Sequence, residues 1–398
     1  MTEMEAEPQP VQPSERLIAI DALRGFAVFG ILVVNILFFA VPIPWISSAH
    51  WTGPADRVAM FVIEVFFTAK FYTTFAILFG FGFGLQMIRA EIADRPFLRI
   101  YVRRILFLLL IGILHASLIW YGDILHVYAL LGLLLIPFRR LTAAAIAPVM
   151  LIAVFVPIGL FFLTALAVSM TGDAGGSGTD FFRTTEVIRT YASGSWGEIH
   201  GQRLSDRMYL SAGALFFWPT IFAMFLGGML LSRTDIAYRP ADYRGPLRIA
   251  ATAGLSIGLP LNVLAWWLQQ GLDPMDFGWR MAWHQAVLAA GATLLAIGYG
   301  SIVLLLSSRP AVLAPFAAVG RMALTNYLLQ SVIGTLIFYS YGLGLFGSLG
   351  PAVLLPIALG IFAVQVPLSF LWLKRFRYGP VEWLWRGATY GRLPTLRR

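Results

Sequence analysis

Arg16 to Phe39 reads RLIAIDALRGFAVFGILVVNILFF. As an α-helix it rises about 1.5 Å per residue, enough to cross the roughly 30 Å hydrocarbon core of a bilayer. Inside this apolar run stand an acid, a base and an amide: Asp21, Arg24 and Asn35. At about 100° per residue the three fall on one narrow stripe. Lipid will not accept that stripe, so it faces other helices or a water-filled cavity. Asp21 and Arg24, at i and i+3, are spaced to neutralise each other near the helix start. Asn35 sits deeper, and two roles stand open for it: an interhelical hydrogen bond, or an amide turned toward a substrate.

The rest of the chain repeats the apolar signature. Of 398 residues, 59% are hydrophobic and 12% charged, with a mean hydropathy of +0.77. That balance excludes a soluble globular protein and predicts an all-α polytopic membrane protein. The absence of cysteine excludes disulfides, thiol catalysis and thiolate metal sites. The first fifteen residues, MTEMEAEPQPVQPSE, are acidic and proline-rich where a signal peptide is basic. They read as a disordered cytoplasmic tail ahead of an uncleaved anchor.

Hydropathy divides the chain into about ten transmembrane helices. Five lie in 16–168 and five in 212–373, separated by a Gly-, Ser- and Thr-rich extracytoplasmic loop at 169–211. A basic, Trp-rich tail closes the chain at 374–398. The second segment, 57–87, holds Glu64 and Lys70, and reads as a surface half-helix leading into a span. With the N-terminus inside, the cytoplasmic segments carry 21 Lys and Arg and the outer segments 6. The positive-inside rule then places both termini in the cytoplasm. The net charge of +9 is accounted for in the same way: it meets anionic lipid and predicts no nucleic-acid partner.

Polar groups that could carry chemistry concentrate in ILHASLIWYGDILHVYALLGLL, Ile113 to Leu134. His115 follows Arg104 by eleven residues, which puts it about 16 Å deep in a helix. Asp123 and His126 come just after the turn. A histidine moves protons near neutral pH, and a carboxylate beside it sets its tautomer and raises its basicity. Gly122-Asp123 ahead of an apolar run also reads as a helix cap, so Asp123 has a structural role open to it as well. Asn35 and the loop carrying His50 belong at the same outer level. Asn326 and Gln330, at i and i+4 in GRMALTNYLLQS, either line a polar cavity or join helices. In GPVEWLWR, Glu382 and Arg386 stand beside Trp383 and Trp385, the pattern of an interfacial helix. No histidine pair has the HExxH spacing, and no metal is expected.

Five stretches in order, RLIAIDALRGFAVFGILVVN, KFYTTFAILFGFGFGLQM, LHASLIWYGDILHVYALLGLL, GRMALTNYLLQS and GPVEWLWR, resemble the YeiB-like family of bacterial inner-membrane proteins. The first stretch is also similar to the acyltransferase-3 and heparan-glucosaminide N-acetyltransferase types. Both carry L-D-x-x-R-G and a polar residue fourteen positions after the Asp, matched here by Asp21, Arg24, Gly25 and Asn35. Acyltransferase-3 proteins have a histidine at that last place. Heparan-type enzymes have Asn there and a histidine in the next loop, which makes Asn35 and His50 the equivalents. The resemblance implies acyl-CoA entering from the cytoplasm and a glycan or small envelope metabolite as acceptor. His115 or His50 would be the general base, Asp123 its orienter and Asn35 the group polarising the thioester. Asp21 and Arg24 would hold the first helix, with Arg24 near the CoA phosphates. His126, Asn326 and Gln330 would lie on the substrate side. Membrane lipids are the expected partners, and a homo-oligomer stands open. A transporter or exporter is the alternative reading, since buried polar groups in a large apolar bundle suit it too.

Overall fold

The computed structural model describes residues 17–46, 50–94, 96–171, 184–272 and 277–398. The acidic tail at 1–15 lies outside them. The described residues form sixteen α-helices: α1 (Ile18–Ala40), α2 (Pro54–Val62), α3 (Lys70–Ile92), α4 (Phe97–Leu118), α5 (Leu125–Leu134), α6 (Ala143–Thr171), α7 (Thr184–Ser193), α8 (Trp196–Ala214), α9 (Trp218–Leu231), α10 (Arg244–Ala253), α11 (Leu259–Gln269), α12 (Trp279–Leu305), α13 (Pro310–Gly320), α14 (Ala323–Phe338), α15 (Pro351–Arg375) and α16 (Pro380–Tyr390). Six helical stretches are long and apolar enough to cross a membrane: α1, α2 with α3, α6, α10 with α11, α12 and α15. The pair α13 and α14 makes a seventh if its bend is taken as one span. On the periphery, α6 exposes Leu151, Ile152, Phe155 and Leu163. Such an apolar outer face needs lipid to cover it.

α1 sits at the centre because it can be approached closely. A Cβ on Gly25 would land on the Phe316 carbonyl, and one on Gly320 would land on the Asp21 carbonyl. Helices α1 and α13 therefore touch backbone to backbone, as small residues permit in membrane bundles. Gly80 and Gly228 do the same for α3 and α9, against the carbonyls of Phe225 and Ile77.

Two segments are broken where hydropathy shows one continuous run. In the second, a π-helical turn at Ile63–Phe67 ends at Thr68, and Ala69 adopts a left-handed conformation with φ of 71°. Glu64 and Lys70 are buried at this break and do not mark a surface helix. The Lys70 ammonium donates to the Glu64 carbonyl oxygen at 2.7 Å, an acceptor that the interrupted helix leaves available.

The other break bends α14 by 66° from α13. It leaves backbone N–H groups at the start of α14, and Glu382 of the tail takes them. Its carboxylate accepts from Leu324 N at 2.8 Å, from Thr325 N at 3.0 Å and from the Thr325 hydroxyl. Burial pushes the Glu382 carboxyl above its usual range, against the opposing pull of the Thr325 bonds. Glu382→Ala strips this cap and leaves two buried donors unpaired. It is expected to lower stability by about 1–3 kcal/mol, read as thermal denaturation in mild detergent, with Glu382→Gln losing less.

The polar stretch at 169–211 is not a bare loop where it is described, since it contains α7 and most of α8. These helices cover the end of the bundle where α4 turns into α5. Ser195 and Glu198 form a capping box that starts α8.

Candidate functional site

Asp21 and Arg24 face each other at 3.1 Å, as their spacing predicts. They form part of the wall of a cavity of about 310 Å³. The α1 stripe Asp21, Arg24, Val28 and Ile31 lines one side. Arginines ring the mouth: Arg24 from α1, Arg89 from α3, Arg104 from α4, Arg321 from the α13–α14 break and Arg386 from α16. Inward, the walls turn apolar and aromatic with Phe75, Phe79, Leu108, Ile124, Tyr128 and Tyr327. Such a cavity can take a molecule with an anionic head and an apolar arm.

Beyond Ile124 and Tyr327 lies the hairpin chemistry. The His115 Nδ1–H donates to Asp123 Oδ1 at 2.9 Å. The other oxygen, Oδ2, accepts from His126 Nδ1 at 2.7 Å and from the His126 backbone N–H at 3.0 Å. One carboxylate thus caps the start of α5 and bridges two imidazoles. The Asp123 side chain is fully buried. An ionised carboxylate only accepts, so Nδ1 of His115 carries a proton, and in the neutral imidazole the lone pair is then on Nε2. That Nε2 is buried and makes no hydrogen bond. This is the arrangement of a general base held in tautomer by a carboxylate. Gly112 makes it possible: a Cβ there would strike His126 N and stand 3.0 Å from Asp123 Oδ2.

Two aromatic residues connect this group to its surroundings. The Tyr327 ring lies 5.4 Å from the His115 ring, and its hydroxyl is buried. Tyr327 also lines the cavity, so one side chain separates the cavity from His115. Trp120, 6.3 Å from His115, packs tilted against Phe39 at 4.2 Å. Asn35, one turn before Phe39, is half-buried on the continuation of the α1 stripe and does not line the cavity.

The remaining candidate residues lie elsewhere. His50 is exposed, stacked on Trp45 at 4.1 Å and edge-on to Trp51 at 4.8 Å. Partial desolvation by these two indoles lowers its imidazole below the ordinary histidine range. Asn326 and Gln330 join helices: Asn326 Nδ2 donates to Val319 O and to Ser369 Oγ, both at 3.1 Å, and Gln330 Nε2 donates to Gln365 Oε1 at 2.8 Å. Neither lines the cavity. Arg321 and Tyr327 lie in GRMALTNYLLQS beside the two amides, and Arg104 lies in a basic run; none has a spacing that points to this site, and only the packing brings them to it. Among the described residues no group of three or more His, Asp or Glu is placed to hold a metal ion.

Residues 231–392 match the family described as "Protein of unknown function (DUF418)". The chain is 37% identical over 408 residues to an uncharacterized protein, YxaH, of Bacillus subtilis, covering 96% of each. It is 32% identical over 397 residues to an uncharacterized protein, YeiB, of Escherichia coli, covering 94% of this chain and 96% of that one. A third relative, an uncharacterized 39.9 kDa protein in the amylase 3′ region of Bacillus acidopullulyticus, is 29% identical over 390 residues. With two relatives above 30% identity along almost its whole length, the chain is a member of the YeiB-like, DUF418 family of polytopic helical proteins.

Proposed function

We propose that the protein is a membrane acyltransferase that takes its acyl group from a cytoplasmic acyl-CoA. The observation that carries this reading is the cavity running from five arginines at its mouth to within one side chain of the His115–Asp123 pair. Arginine forks suit the phosphates of the CoA nucleotide. An apolar channel of about 310 Å³ suits the pantetheine arm and a short acyl chain.

Chemically, Nε2 of His115 takes the proton from an acceptor hydroxyl or amine. The acceptor oxygen or nitrogen then bonds to the thioester carbonyl carbon. The carbon–sulfur bond breaks, and the CoA thiolate leaves with a proton returned from the imidazolium. Asp123 holds the ring throughout. The Tyr327 hydroxyl, on a ring 5.4 Å from His115, is offered to the developing oxyanion, and the resemblance to the heparan-type enzymes gives Asn35 the same role.

The reading includes a topology of ten crossings with both termini in the cytoplasm of a bacterial inner membrane. The 21-to-6 distribution of Lys and Arg supports it, and it puts the arginine mouth on the CoA side. A glycan or small envelope metabolite is the acceptor class.

Titration of purified protein in mild detergent with acetyl-CoA tests the donor half. Saturable binding is expected, weakened about ten- to a hundredfold in the Arg24→Gln, Arg386→Gln double variant. Absence of saturable binding would sink this reading and leave an exporter of a small molecule as the better use of the same cavity.

A further inference from the structure

Ser117 lies two residues past His115, and its carbonyl oxygen accepts from Nη1 of Arg203 in α8 at 3.1 Å. Arg203 is 1% exposed. Its other two nitrogens, Nε and Nη2, are buried and make no hydrogen bond. These two form one edge of the guanidinium plane, the edge that receives both oxygens of a carboxylate or phosphate side by side. The acid one turn along α8 does not use it. Asp206 instead accepts from the Tyr191 hydroxyl at 2.6 Å and from Gln202 Nε2 at 2.8 Å. A buried cation with an empty fork costs free energy unless something completes it.

Around the fork the core is aromatic, with Trp120, Tyr191 and Tyr339 all buried. The Trp120 indole N–H is also buried without a hydrogen bond. The Tyr339 ring packs on Tyr191 at 4.5 Å, so it belongs to the same cluster as Asp206. Trp120 is the residue that flanks His115. Above the guanidinium sits Trp196, with its ring centroid 5.4 Å from Arg203 Cζ and 54% of its own surface exposed. A half-exposed aromatic side chain therefore lies between the guanidinium and the surface.

We infer that Arg203 is the anchor of an oxyanion subsite, on the far side of the His115 group from the arginine-ringed mouth. The subsite takes the carboxylate or phosphate group of a molecule that reaches His115 from that end. The inference deepens the acyl-transfer reading by giving its acceptor an anionic group. The source of that group is either a soluble molecule or a phospholipid headgroup.

Thermal stability of the purified full-length protein in neutral detergent tests it without any acyl donor. One arm adds inorganic phosphate, with chloride at equal ionic strength as control. The other adds short-chain phosphatidylglycerol against short-chain phosphatidylcholine. A saturable rise in unfolding temperature with phosphate identifies a soluble anion, and a rise with phosphatidylglycerol alone identifies a headgroup. In Arg203→Gln the rise is expected to vanish, while the anion-free protein is as stable as the parent or more so. A guanidinium with a merely structural role would instead lower the anion-free stability. Arg203→Lys keeps the charge and loses the fork, and is expected to bind about tenfold or more weakly. No response in the parent protein, an equal response in Arg203→Gln, or unchanged affinity in Arg203→Lys overturns the subsite. Acetyl-CoA binding, measured in parallel, reports on the donor reading separately.

Discussion

Asp123→Asn is expected to reduce label transfer from radiolabelled acetyl-CoA to envelope material by about three to four orders of magnitude. The carboxylate accepts three hydrogen bonds, from two imidazoles and one backbone amide. An amide offers one acceptor oxygen and places an NH₂ where the second was. Whichever way it turns, one histidine meets a donor instead of an acceptor. If His115 is the one displaced, its proton moves to Nε2 and the lone pair needed for base catalysis is gone. If His126 is displaced, the start of α5 loses its cap and the ring geometry relaxes. Asp123 does not line the cavity, so acetyl-CoA affinity should stay within about twofold of the parent. That split between lost turnover and kept binding separates a chemical role from a folding defect. His115→Ala is expected to match the loss, and His126→Ala to fall short of it, because Tyr327, which lines the cavity, packs on His115. Turnover unchanged in Asp123→Asn would reduce the pair to a helix cap.

Gly320→Ala is the substitution expected to damage the fold most. The added methyl would occupy the position of the Asp21 carbonyl oxygen, and the reciprocal contact joins Gly25 to Phe316. Overpacking of side chains usually costs about 1–3 kcal/mol because the neighbours rotate away. Here the neighbour is helical backbone, and it yields only if α1 and α13 part. A loss of about 3 kcal/mol or more is therefore expected, seen as a lower unfolding temperature in detergent. Because Asp21, Arg24, Gly320 and Arg321 all line the cavity, acetyl-CoA affinity should fall with it. Gly360→Ala in α15 is the control, since a Cβ there meets nothing within 4 Å. It is expected to be neutral or to stabilise by about 0.5–1 kcal/mol through helix propensity.

These predictions separate two kinds of information in the chain. The apolar helices, the ion pair of Asp21 with Arg24, and the closeness of His115 to Asp123 are short-range properties. Hydropathy windows and i, i+3 spacing express them directly, because their parts are neighbours along the chain. Even the role of Asp123 is half visible, since Gly-Asp before an apolar run is a cap signal and the cap is made.

What the local pattern misses is set by contacts between distant segments. Arg104 and Arg386 read as topological charge and interfacial anchor, yet both line one cavity because Trp385 of α16 donates to the Arg104 carbonyl at 2.8 Å. The bend that brings Tyr327 to His115 follows Gly320, one of many glycines in these helices that nothing local marks as a hinge. It is held by Glu382, more than fifty residues farther on. Asn326 and Gln330 have the spacing of a polar lining but are spent on Ser369 and Gln365. Arg203 reads as one charge in a polar insertion until α8 folds it beneath Trp196. Composition and spacing alone determine that the chain is a helical membrane protein and where its charges lie. Only the packing, chosen by glycines that let particular helices meet backbone to backbone, decides which of those charges share a cavity.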